Sequence, residues 1–310
     1  MSIRRASYSE VLEVCVRLAQ TGQRLRPGQS PIAAFDADGT LWAADVAEVL
    51  WARLVAMKAL HRRAAAPLAR ALRSCGVEPA RDPYVDFGHL MELYRAGACP
   101  EETMVRVMLE GLAGLLEKDL LDHCGAALAE AEGLCTPESA GAARMIDELR
   151  RLGFRVIVVS GSPRWAVQCA VRRFGVDHAD VLAGQVAVVD GVLTDGIIEP
   201  LPYGPGKIQA ILRRFGAVPQ VAVGNTLGDL AMLEATSHLK LIVNASEALA
   251  RALEQSRGST WSLRPQEWLA TGPAKPGSRR SSPRLKSISA TAAGGASTPT
   301  DRPRRSGPRP

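Results

Sequence analysis

Residues 32–42 read Ile-Ala-Ala-Phe-Asp-Ala-Asp-Gly-Thr-Leu-Trp. A short apolar run ends there at two acids, Asp36 and Asp38, and the Gly-Thr that follows does not favour continuing a strand or a helix. This pattern predicts a buried strand of a parallel sheet that ends in a carboxylate-bearing loop. Ligand sites of open α/β sheets gather at the carboxyl ends of strands, and a buried carboxylate is costly without a partner. We therefore expect a metal ion or a cationic side chain beside Asp36.

Two other interpretations of the acidic loop need to be considered. Asp-Xaa-Asp-Gly is common in turns, because Asp bonds its own backbone and Gly accepts a positive φ. A calcium loop of the EF-hand type requires Gly at its sixth position and Glu at its twelfth. Counted from Asp36, those positions hold Leu41 and Ala47, which excludes an EF-hand. The loop indicates function only if matching polar loops follow other strands.

Length and composition are those of a globular protein. The 310 residues are 46% hydrophobic, which is enough for one large or two small domains. No apolar run reaches the ~18 residues of a membrane span, and no convincing signal peptide is present. We therefore expect a cytoplasmic protein. The six cysteines are scattered without a Cys-x-x-Cys pair, so ordinary reduced thiols are expected.

The positive charge of the chain is concentrated at its end. Residues 271–310 hold nine Lys or Arg and one acid, a net of +8, whereas the whole chain carries +6, which leaves −2 for the remainder. From residue 265 onward Pro, Ser, Gly, Thr and Arg dominate, so residues 265–310 are predicted to be a disordered basic tail. We expect this tail to be solvated, and no specific nucleic-acid partner is predicted.

A long helical segment follows the acidic loop directly. Ala, Leu, Arg and Glu dominate residues 42–146, and β-branched runs are few. Residues 7–19 also show apolar positions at helical spacing. The candidate helices after the loop are residues 44–61, 64–75, 86–96, 101–116 and 120–131.

Alternating strands and helices resume at Thr136. Two further buried strands are predicted to end in polar loops, one at Ser160-Gly161 and one at residues 225–229. Residues 181–189 and 192–198 predict a β-hairpin around an Asp-Gly turn. The remaining predictions are helices at residues 137–152, 164–174 and 208–215 and from residue 230, and strands at residues 154–159, 220–223 and 239–244.

Four stretches of the chain carry a family resemblance. They are Asp-Ala-Asp-Gly-Thr-Leu at residues 36–41, Val-Val-Ser-Gly-Ser-Pro at 158–163, Gly-Pro-Gly-Lys at 204–207, and Gly-Asn-Thr-Leu-Gly-Asp-Leu-Ala-Met-Leu at 224–233. With these motifs the sequence resembles the haloacid dehalogenase superfamily of phosphohydrolases, and most closely its phosphoserine-phosphatase-like branch. All four motifs occur in the family's order, and the resemblance covers about residues 30–245.

The resemblance implies a fold and a domain plan. The fold would be α/β, with a doubly wound, Rossmann-like parallel sheet as its core and an inserted helical cap domain. Residues 1–41 and 136–264 would form the core, residues 42–135 the cap, and residues 265–310 the tail. A cap of this kind closes over the site, excludes water and contacts the leaving group of the substrate.

The resemblance also implies an activity. It is that of a Mg²⁺-dependent phosphomonoesterase, which hydrolyses a small phosphorylated metabolite, phosphoserine- or phosphocholine-like, through an aspartyl-phosphate. Asp36 would be the nucleophile, and Asp38 would protonate the leaving alcohol and later activate water. Lys207 would pair with Asp36 and with the phosphate. These residue types suit phosphoryl transfer, which needs an in-line nucleophile, neutralised oxygens and a proton donor.

Oxygen atoms would hold the Mg²⁺ ion in this scheme. The expected ligands are Asp36, the backbone carbonyl of Asp38 and the side chain of Asn225, with Asp229 as a further ligand or in support. Many family members carry Asp where this chain has Asn225. One negative charge is thereby lost, so we expect a lower metal affinity at a site that remains competent.

Phosphate and leaving group would meet other residues. The Ser160 hydroxyl and the Gly161 N–H, at a helix N-terminus, would bind the phosphate, although Ser160 taken alone indicates a helix cap. Asp45 lies near the position at which phosphoserine phosphatases carry an acid that faces the amino group of the substrate, and Glu48 is second in rank. Asp45 also suits a plain helix cap.

Two tryptophans are further candidates for the substrate pocket. Trp42 and Trp51 are candidates to line a pocket for a quaternary ammonium, although core packing is expected of Trp51.

A phosphotransferase that passes the aspartyl-phosphate to another alcohol is the first alternative function. The second is a non-catalytic binding module, which has no need of Asp36, Asp38 and Lys207 together. A dehalogenase is disfavoured, because the family's dehalogenases lack the second Asp.

Overall fold

The computed structural model describes residues 3–21, 30–131, 137–256 and 259–263. In these ranges the strands are β1 (Arg4–Arg5), β2 (Ile32–Phe35), β3 (Arg155–Pro163), β4 (Val181–Gly184), β5 (Val186–Val189), β6 (Val192–Ile197), β7 (Val221–Gly224), β8 (Leu239–Val243) and β9 (Thr260–Leu263). The α-helices are α1 (Tyr8–Thr21), α2 (Val46–Ala56), α3 (Ala65–Ser74), α4 (Pro83–Arg95), α5 (Glu101–Glu110), α6 (Glu117–Glu130), α7 (Pro137–Arg151), α8 (Arg164–Val171), α9 (Pro205–Phe215), α10 (Leu230–Ala235) and α11 (Glu247–Gln255).

The order of the strands places a crevice beside Asp36. Seven strands form one parallel sheet in the order β1-β9-β8-β7-β2-β3-β4. From β2 the chain moves to β3 and β4 on one side, and it later returns to β7, β8 and β9 on the other side. Open α/β sheets bind ligands where the strand order reverses in this way, outside the carboxyl ends of the strands. Asp36 is the first residue after β2.

Both faces of the sheet are covered. All of Ile32–Phe35 is buried, as the unbroken apolar run predicts for a parallel strand. Ala33 and Phe35 belong to a core shared with α1, α7 and α8, whereas Ile32 and Ala34 belong to a second core with α9, α10 and α11. Successive side chains of a strand point to opposite faces, so the two cores lie on the two sides of the sheet. The predicted doubly wound α/β fold is confirmed.

Five helices, α2 to α6, lie in the chain between β2 and β3. The buried Trp51 ties three of them together: its ring stacks on Phe87 of α4 at 4.4 Å, and its Nε1–H donates to the Met108 carbonyl of α5 at 3.0 Å. Trp51 is therefore a core residue, as expected, and does not line a pocket for an ammonium group. The predicted division into cap and core remains a prediction, and its boundary at residues 135–136 lies outside the described residues.

The predicted hairpin is wrong in its first strand. Residues 181–189 do not form one strand: β4 continues the main sheet beside β3, and only β5 pairs with β6. The chain leaves the sheet at Gly184, where a Cβ atom would lie 2.4 Å from the Gly161 carbonyl oxygen. A residue with a side chain does not fit there, because the backbones of β3 and β4 approach each other closely at the end of β4.

Backbone hydrogen bonds join this hairpin to the helical segment. The Gly114 N–H donates to the Leu193 carbonyl at 2.8 Å, and the Leu193 N–H donates to the Leu115 carbonyl at 2.9 Å. The predicted helix 101–116 ends early, at Glu110. Gly111 follows it and packs against Trp51, where a Cβ atom would lie 2.6 Å from the ring. The residues released from the helix make the contacts to β6.

Three further predictions concern the last strand of the chain, its basic tail and membrane-spanning helices. The strand predicted at residues 239–244 was expected to be the last of the chain, which is wrong, because β9 follows it and pairs with β8. The predicted tail, residues 265–310, lies outside the described residues. In the described ranges, no helix has both the length and the apolar character needed to cross a membrane.

Candidate active site

A buried lysine joins two carboxylates at the carboxyl edge of the sheet. The Lys207 Nζ lies 2.6 Å from Asp36 Oδ1 and 2.6 Å from Asp229 Oδ1. All three side chains are buried. Asp36 follows β2, Lys207 lies in the first turn of α9, and Asp229 immediately precedes α10. The structure thus brings together three residues that the sequence analysis selected from separate motifs.

Burial sets the electrostatics of this cluster. Burial and the nearby charge of Asp229 raise the pKa of Asp36 to about 7, although Lys207 opposes the shift. Burial alone would lower the pKa of Lys207, but Asp229 and Asp36 reverse that effect and hold it above its ordinary value. Lys207 is therefore a permanent cation between two acids, and the trio keeps a negative charge when both acids are ionised.

Glycines allow Lys207 to enter the site. A Cβ atom on Gly206 would lie 1.8 Å from the Leu201 carbonyl oxygen, so only glycine fits at that position. Gly204, the residue before α9, has a φ of +55°, in the region that favours glycine. The Gly-Pro-Gly-Lys motif therefore works as a tight helix start that turns the lysine inward.

Asp229 organises the loop after β7. Its Oδ2 accepts the N–H groups of Asn225 at 2.8 Å and Thr226 at 3.0 Å, and its Oδ1 accepts from Lys207. Both carboxylate oxygens are thus engaged with protein donors. Of the two roles expected for Asp229, metal ligand or support, these contacts match support.

The Asn225 side chain lies directly against the acidic loop. A Cβ atom on Gly39 would lie 2.0 Å from Asn225 Nδ2, and Gly39 has a φ of +75°. The buried Asn225 Oδ1 has no hydrogen-bond donor among the described residues. Buried polar atoms normally have a partner, and an unpaired carbonyl-type oxygen is a suitable ligand for a hard cation.

A magnesium ion fits these donors. Within the described ranges, no three His, Cys, Asp or Glu side chains form a ready metal cage. Mg²⁺ does not require one, because it keeps several waters and binds through one or two carboxylates. Asp36, the Asp38 carbonyl and the unpaired Asn225 oxygen offer such an oxygen set. The raised pKa of Asp36 indicates that its charged form lacks compensation, which a cation would supply.

Asp38 is held by three donors. Its Oδ1 accepts the Trp42 Nε1–H at 2.7 Å and the Val46 N–H at 3.0 Å, and its Oδ2 accepts the Ser162 hydroxyl at 2.6 Å. Burial and the charge of Asp45 raise its pKa to about 7, although these hydrogen bonds act in the opposite direction. A carboxyl group with this pKa can give and take a proton near neutral pH.

Trp42 is not a pocket residue. Its side chain is 1% exposed, it stacks on Phe174 at 5.9 Å, and its N–H holds Asp38. The prediction that it lines an ammonium pocket is therefore wrong. An indole buried on both faces cannot present one face to a ligand, and its polar atom positions the acid instead.

Ser160 and Gly161 lie within β3, not at the start of a helix. β3 continues to Pro163, which precedes α8, and its pairing with β4 shifts register after Ser160. The Ser160 hydroxyl accepts the Ser162 N–H at 3.1 Å, so it caps no helix. The prediction of a helix N-terminus at these two residues is wrong, because the strand continues irregularly past the polar residues.

A cavity of about 50 Å³ opens beside these residues. Gly161 and Ser162 line it on the β3 side, and Asp45, Glu48 and Glu101 are its acids. Asp45 also caps α2, because its Oδ1 accepts the Glu48 N–H at 2.9 Å. The helix-cap role considered for Asp45 is confirmed, and recognition of a substrate amino group by Asp45 stays a prediction. The Asp45 side chain is exposed to solvent, although the protein atoms around its carboxyl group raise its pKa to about 6.

Sequence reasoning missed several residues of the site. The Thr40 hydroxyl donates to Asp36 Oδ2 at 2.9 Å, and Ser162 bonds Asp38. Thr40 lies in the motif at residues 36–41 and Ser162 in the motif at residues 158–163, so their proximity along the chain to other motif residues was the available signal. Glu101, which accepts a hydrogen bond from Tyr203, gave no signal in the sequence. It reaches the cavity only through the packing of α5.

Comparisons with known proteins agree with this geometry. The family model described as haloacid dehalogenase-like hydrolase matches residues 33–234. Phosphoserine phosphatase SerB2 of Mycobacterium tuberculosis is 38% identical over 122 residues, which are 37% of this chain and 29% of that protein. A phosphoserine phosphatase of Streptomyces coelicolor is 32% identical over 180 residues, 53% of this chain and 42% of that protein. The matches thus span less than half the length of these two relatives.

A solved structure supports the fold. A conserved, functionally unknown protein from Anaerococcus prevotii superposes with a TM-score of 0.61 at 16% identity, covering 86% of this chain and 96% of that one. At this identity the similarity concerns the fold alone. The family model, in contrast, spans the acidic loop, the lysine motif and the Asn225–Asp229 loop. The chain belongs to the haloacid dehalogenase-like hydrolase family.

Proposed function

We propose that the protein is a Mg²⁺-dependent phosphomonoesterase that acts on a small phosphorylated metabolite. The observation that carries this proposal is the buried arrangement in which Lys207 bonds both Asp36 and Asp229 at 2.6 Å. Burying three charged groups costs several kcal/mol per ion unless they are paired, and α9 and α10 begin where they supply the partners. Such an arrangement suits the binding and transfer of a dianionic phosphoryl group.

Asp36 is the nucleophile in the proposed reaction. One carboxylate oxygen attacks phosphorus, a new P–O bond forms, and the bond between phosphorus and the leaving oxygen breaks. Lys207 and Thr40 hold the two oxygens of this carboxylate, which restricts its rotation and preserves an in-line approach. Lys207 also carries positive charge toward the incoming phosphate.

Asp38 is the proton donor for the leaving alkoxide. Its Oδ1 faces two N–H donors, which cannot accept a proton, whereas Oδ2 faces the Ser162 hydroxyl, which can donate or accept. We therefore assign the transferable proton to Oδ2. In the second half of the reaction Asp38 takes a proton from water, and that water attacks phosphorus to release inorganic phosphate and restore Asp36.

Asp36, the Asp38 carbonyl and Asn225 would hold the magnesium ion. When bound, the ion neutralises phosphate oxygens and so lets two anions approach each other. The two relatives named above are phosphoserine phosphatases, which supports a small phosphomonoester as the substrate class. The substrate of this chain is proposed from its own cavity below.

Asn225→Asp is expected to strengthen the response of the protein to Mg²⁺. The new carboxylate would lie against Gly39, in the loop that carries Asp36 and Asp38, so repulsion should lower the Tm without metal, and Mg²⁺ should restore more stability than in the wild type. More ligand charge means tighter binding of a hard cation, and we expect on the order of tenfold higher apparent affinity. Thermal unfolding titrated with MgCl₂, against NaCl of equal ionic strength, measures this effect. Equal Mg²⁺ responses of both proteins would contradict the role of Asn225 as a ligand.

The direct test of the proposed function is an assay of the purified full chain on a panel of phosphomonoesters with Mg²⁺ and with EDTA. We expect release of inorganic phosphate from at least one small ester, and its loss in EDTA. Phosphate that appears on an added alcohol instead would identify a phosphotransferase. No turnover of any ester with Mg²⁺, including an unspecific aryl phosphate, would overturn the proposal.

A further inference from the structure

The cavity beside Gly161 and Ser162 is acidic. Asp45, Glu48 and Glu101 reach it from α2 and α5, and no Lys or Arg of the described chain lines it. Gly161 and Ser162 form its opposite side, next to the Ser162–Asp38 hydrogen bond at 2.6 Å. Because Asp38 is the proposed proton donor to the leaving group, this cavity is where a leaving group would lie.

The charges of these three acids are poorly compensated. Glu48 pairs with Arg95 at 3.9 Å, and the Arg95 side chain is 62% exposed, so the pair is weak and screened by solvent. Glu101 faces the neutral Tyr203 hydroxyl, and although the charge of Lys207 acts on it, burial still raises the pKa of Glu101. Burial, with the added charge of the three acids, raises the pKa of Tyr94 in the cavity wall to about 12. The three acids therefore act together on the same cavity wall.

We propose that this cavity selects a leaving group that carries a cation and no carboxylate, namely the amino alcohol part of an amino-alcohol monophosphate. The proposal rests on the proposed phosphomonoesterase function and narrows its substrate class. An ammonium group would pair with the acids, whereas the carboxylate of an amino-acid phosphate would face like charges without a guanidinium or ammonium to receive it. The Tyr94 ring and the Met104 and Met108 side chains supply apolar surface for the carbon atoms.

This proposal separates the chain from the relatives named above. Those relatives are named for phosphoserine, a molecule that carries both an amino group and a carboxylate. A pocket built for phosphoserine must bind both charges, and the described lining here serves only the amino group. The acidic lining of the cavity therefore predicts a preference for amino-alcohol phosphates over phosphoserine, which a sequence comparison with these relatives does not predict.

The first measurement compares kcat/KM of the wild type for phosphoethanolamine, phosphocholine, phosphoserine and 4-nitrophenyl phosphate with Mg²⁺. We expect at least one of the two amino-alcohol esters to exceed phosphoserine by on the order of tenfold or more, since an unpaired buried charge costs more than a kcal/mol. The aryl ester reports the chemistry alone. A wild type that hydrolyses the aryl ester but prefers phosphoserine, or does not discriminate, overturns this inference and leaves the proposed function intact.

Charge variants test the residues themselves. Glu48→Gln and Asp45→Asn should each lower the ratio of kcat/KM for the amino-alcohol ester to that for phosphoserine, and Glu48→Lys should lower it further by attracting the carboxylate. The matched control is Glu92→Gln, an exposed acid of α4 outside the cavity, which should keep the wild-type ratio. A ratio that stays constant in all three cavity variants contradicts the proposal. A general loss of folded or active protein lowers kcat/KM for both esters equally. It therefore leaves their ratio unchanged and does not imitate the effect.

Discussion

Replacing Asp36 with asparagine is expected to lower kcat by more than about a hundredfold, a barrier increase above ~2.7 kcal/mol, while the protein still folds. Asparagine has almost the same shape, but its amide cannot form the acyl-phosphate. Lys207 keeps Asp229 as a partner at 2.6 Å, so the buried cation is not left alone. Steady-state kinetics on a small phosphomonoester, with circular dichroism and a melting curve, measures both parts of the prediction.

The control for this variant is Asp180→Asn. Asp180 precedes β4, at the end of the sheet opposite the candidate site. It pairs there with Arg155 at 2.6 Å and takes no part in the candidate site. We expect this control to keep kcat close to that of the wild type. A folded Asp36→Asn protein that retained more than about a hundredth of wild-type kcat would exclude Asp36 as the nucleophile.

The second large effect is expected from Lys207→Met. The substitution removes the cation shared by two buried acids, and breaking a buried pair by deleting one partner typically costs about 3–5 kcal/mol. Because the pKa of Asp36 is already raised to about 7, partial protonation should keep the loss near the lower end of that range. Activity should be lost as well, since Asp36 would no longer be held. Urea unfolding at neutral pH gives the free energy directly.

Lys118→Met is the matched control for the lysine. Lys118 lies on α6, its side chain is 86% exposed, and its ion pair with Asp122 is 3.8 Å long. Exposed pairs contribute little, so we expect a change in unfolding free energy within about 0.5 kcal/mol. If Lys207→Met were as stable as this control, the buried ion pairs would not hold the site together.

Much of the core fold was predictable because its strands are short, apolar and unbroken. The run before Asp36 and the runs before Ser160 and Asn225 each gave a buried strand, and parallel strands bring their carboxyl ends to one edge. β1 could not be found in this way. It is two exposed arginines, Arg4 and Arg5, whose strand geometry exists only through pairing with β9.

The predicted end of β3, at residue 159, was wrong for a related reason. Ser and Gly at residues 160–162 read as a loop, because neither residue type favours a strand. Pairing with β4 and the bulge after Ser160 nevertheless carry the strand on to Pro163. Tertiary contacts of this kind leave no periodic pattern in the local sequence.

Within the site, the motif residues and the cavity acids Asp45 and Glu48 were predictable, whereas Glu101 was not. Asp36, Lys207 and Asp229 stand in short motifs at the ends of strands and the starts of helices, so topology alone brings them together. Glu101 comes from a helix distant in sequence from every motif, and its place in the cavity depends on how α5 packs. Trp42 was misjudged because its ring faces the core while only its N–H reaches Asp38.

The central claim is that phosphate passes through Asp36, and trapping the acyl-phosphate tests it most directly. The full-length protein, quenched during turnover of a phosphomonoester with Mg²⁺, is treated with borohydride, which reduces an acyl-phosphate to the alcohol. Peptide mass spectrometry should then find homoserine at position 36, in amounts that depend on substrate and Mg²⁺, and none in Asp36→Asn. Phosphate release without reduction at position 36, or reduction at another carboxylate, would contradict the account.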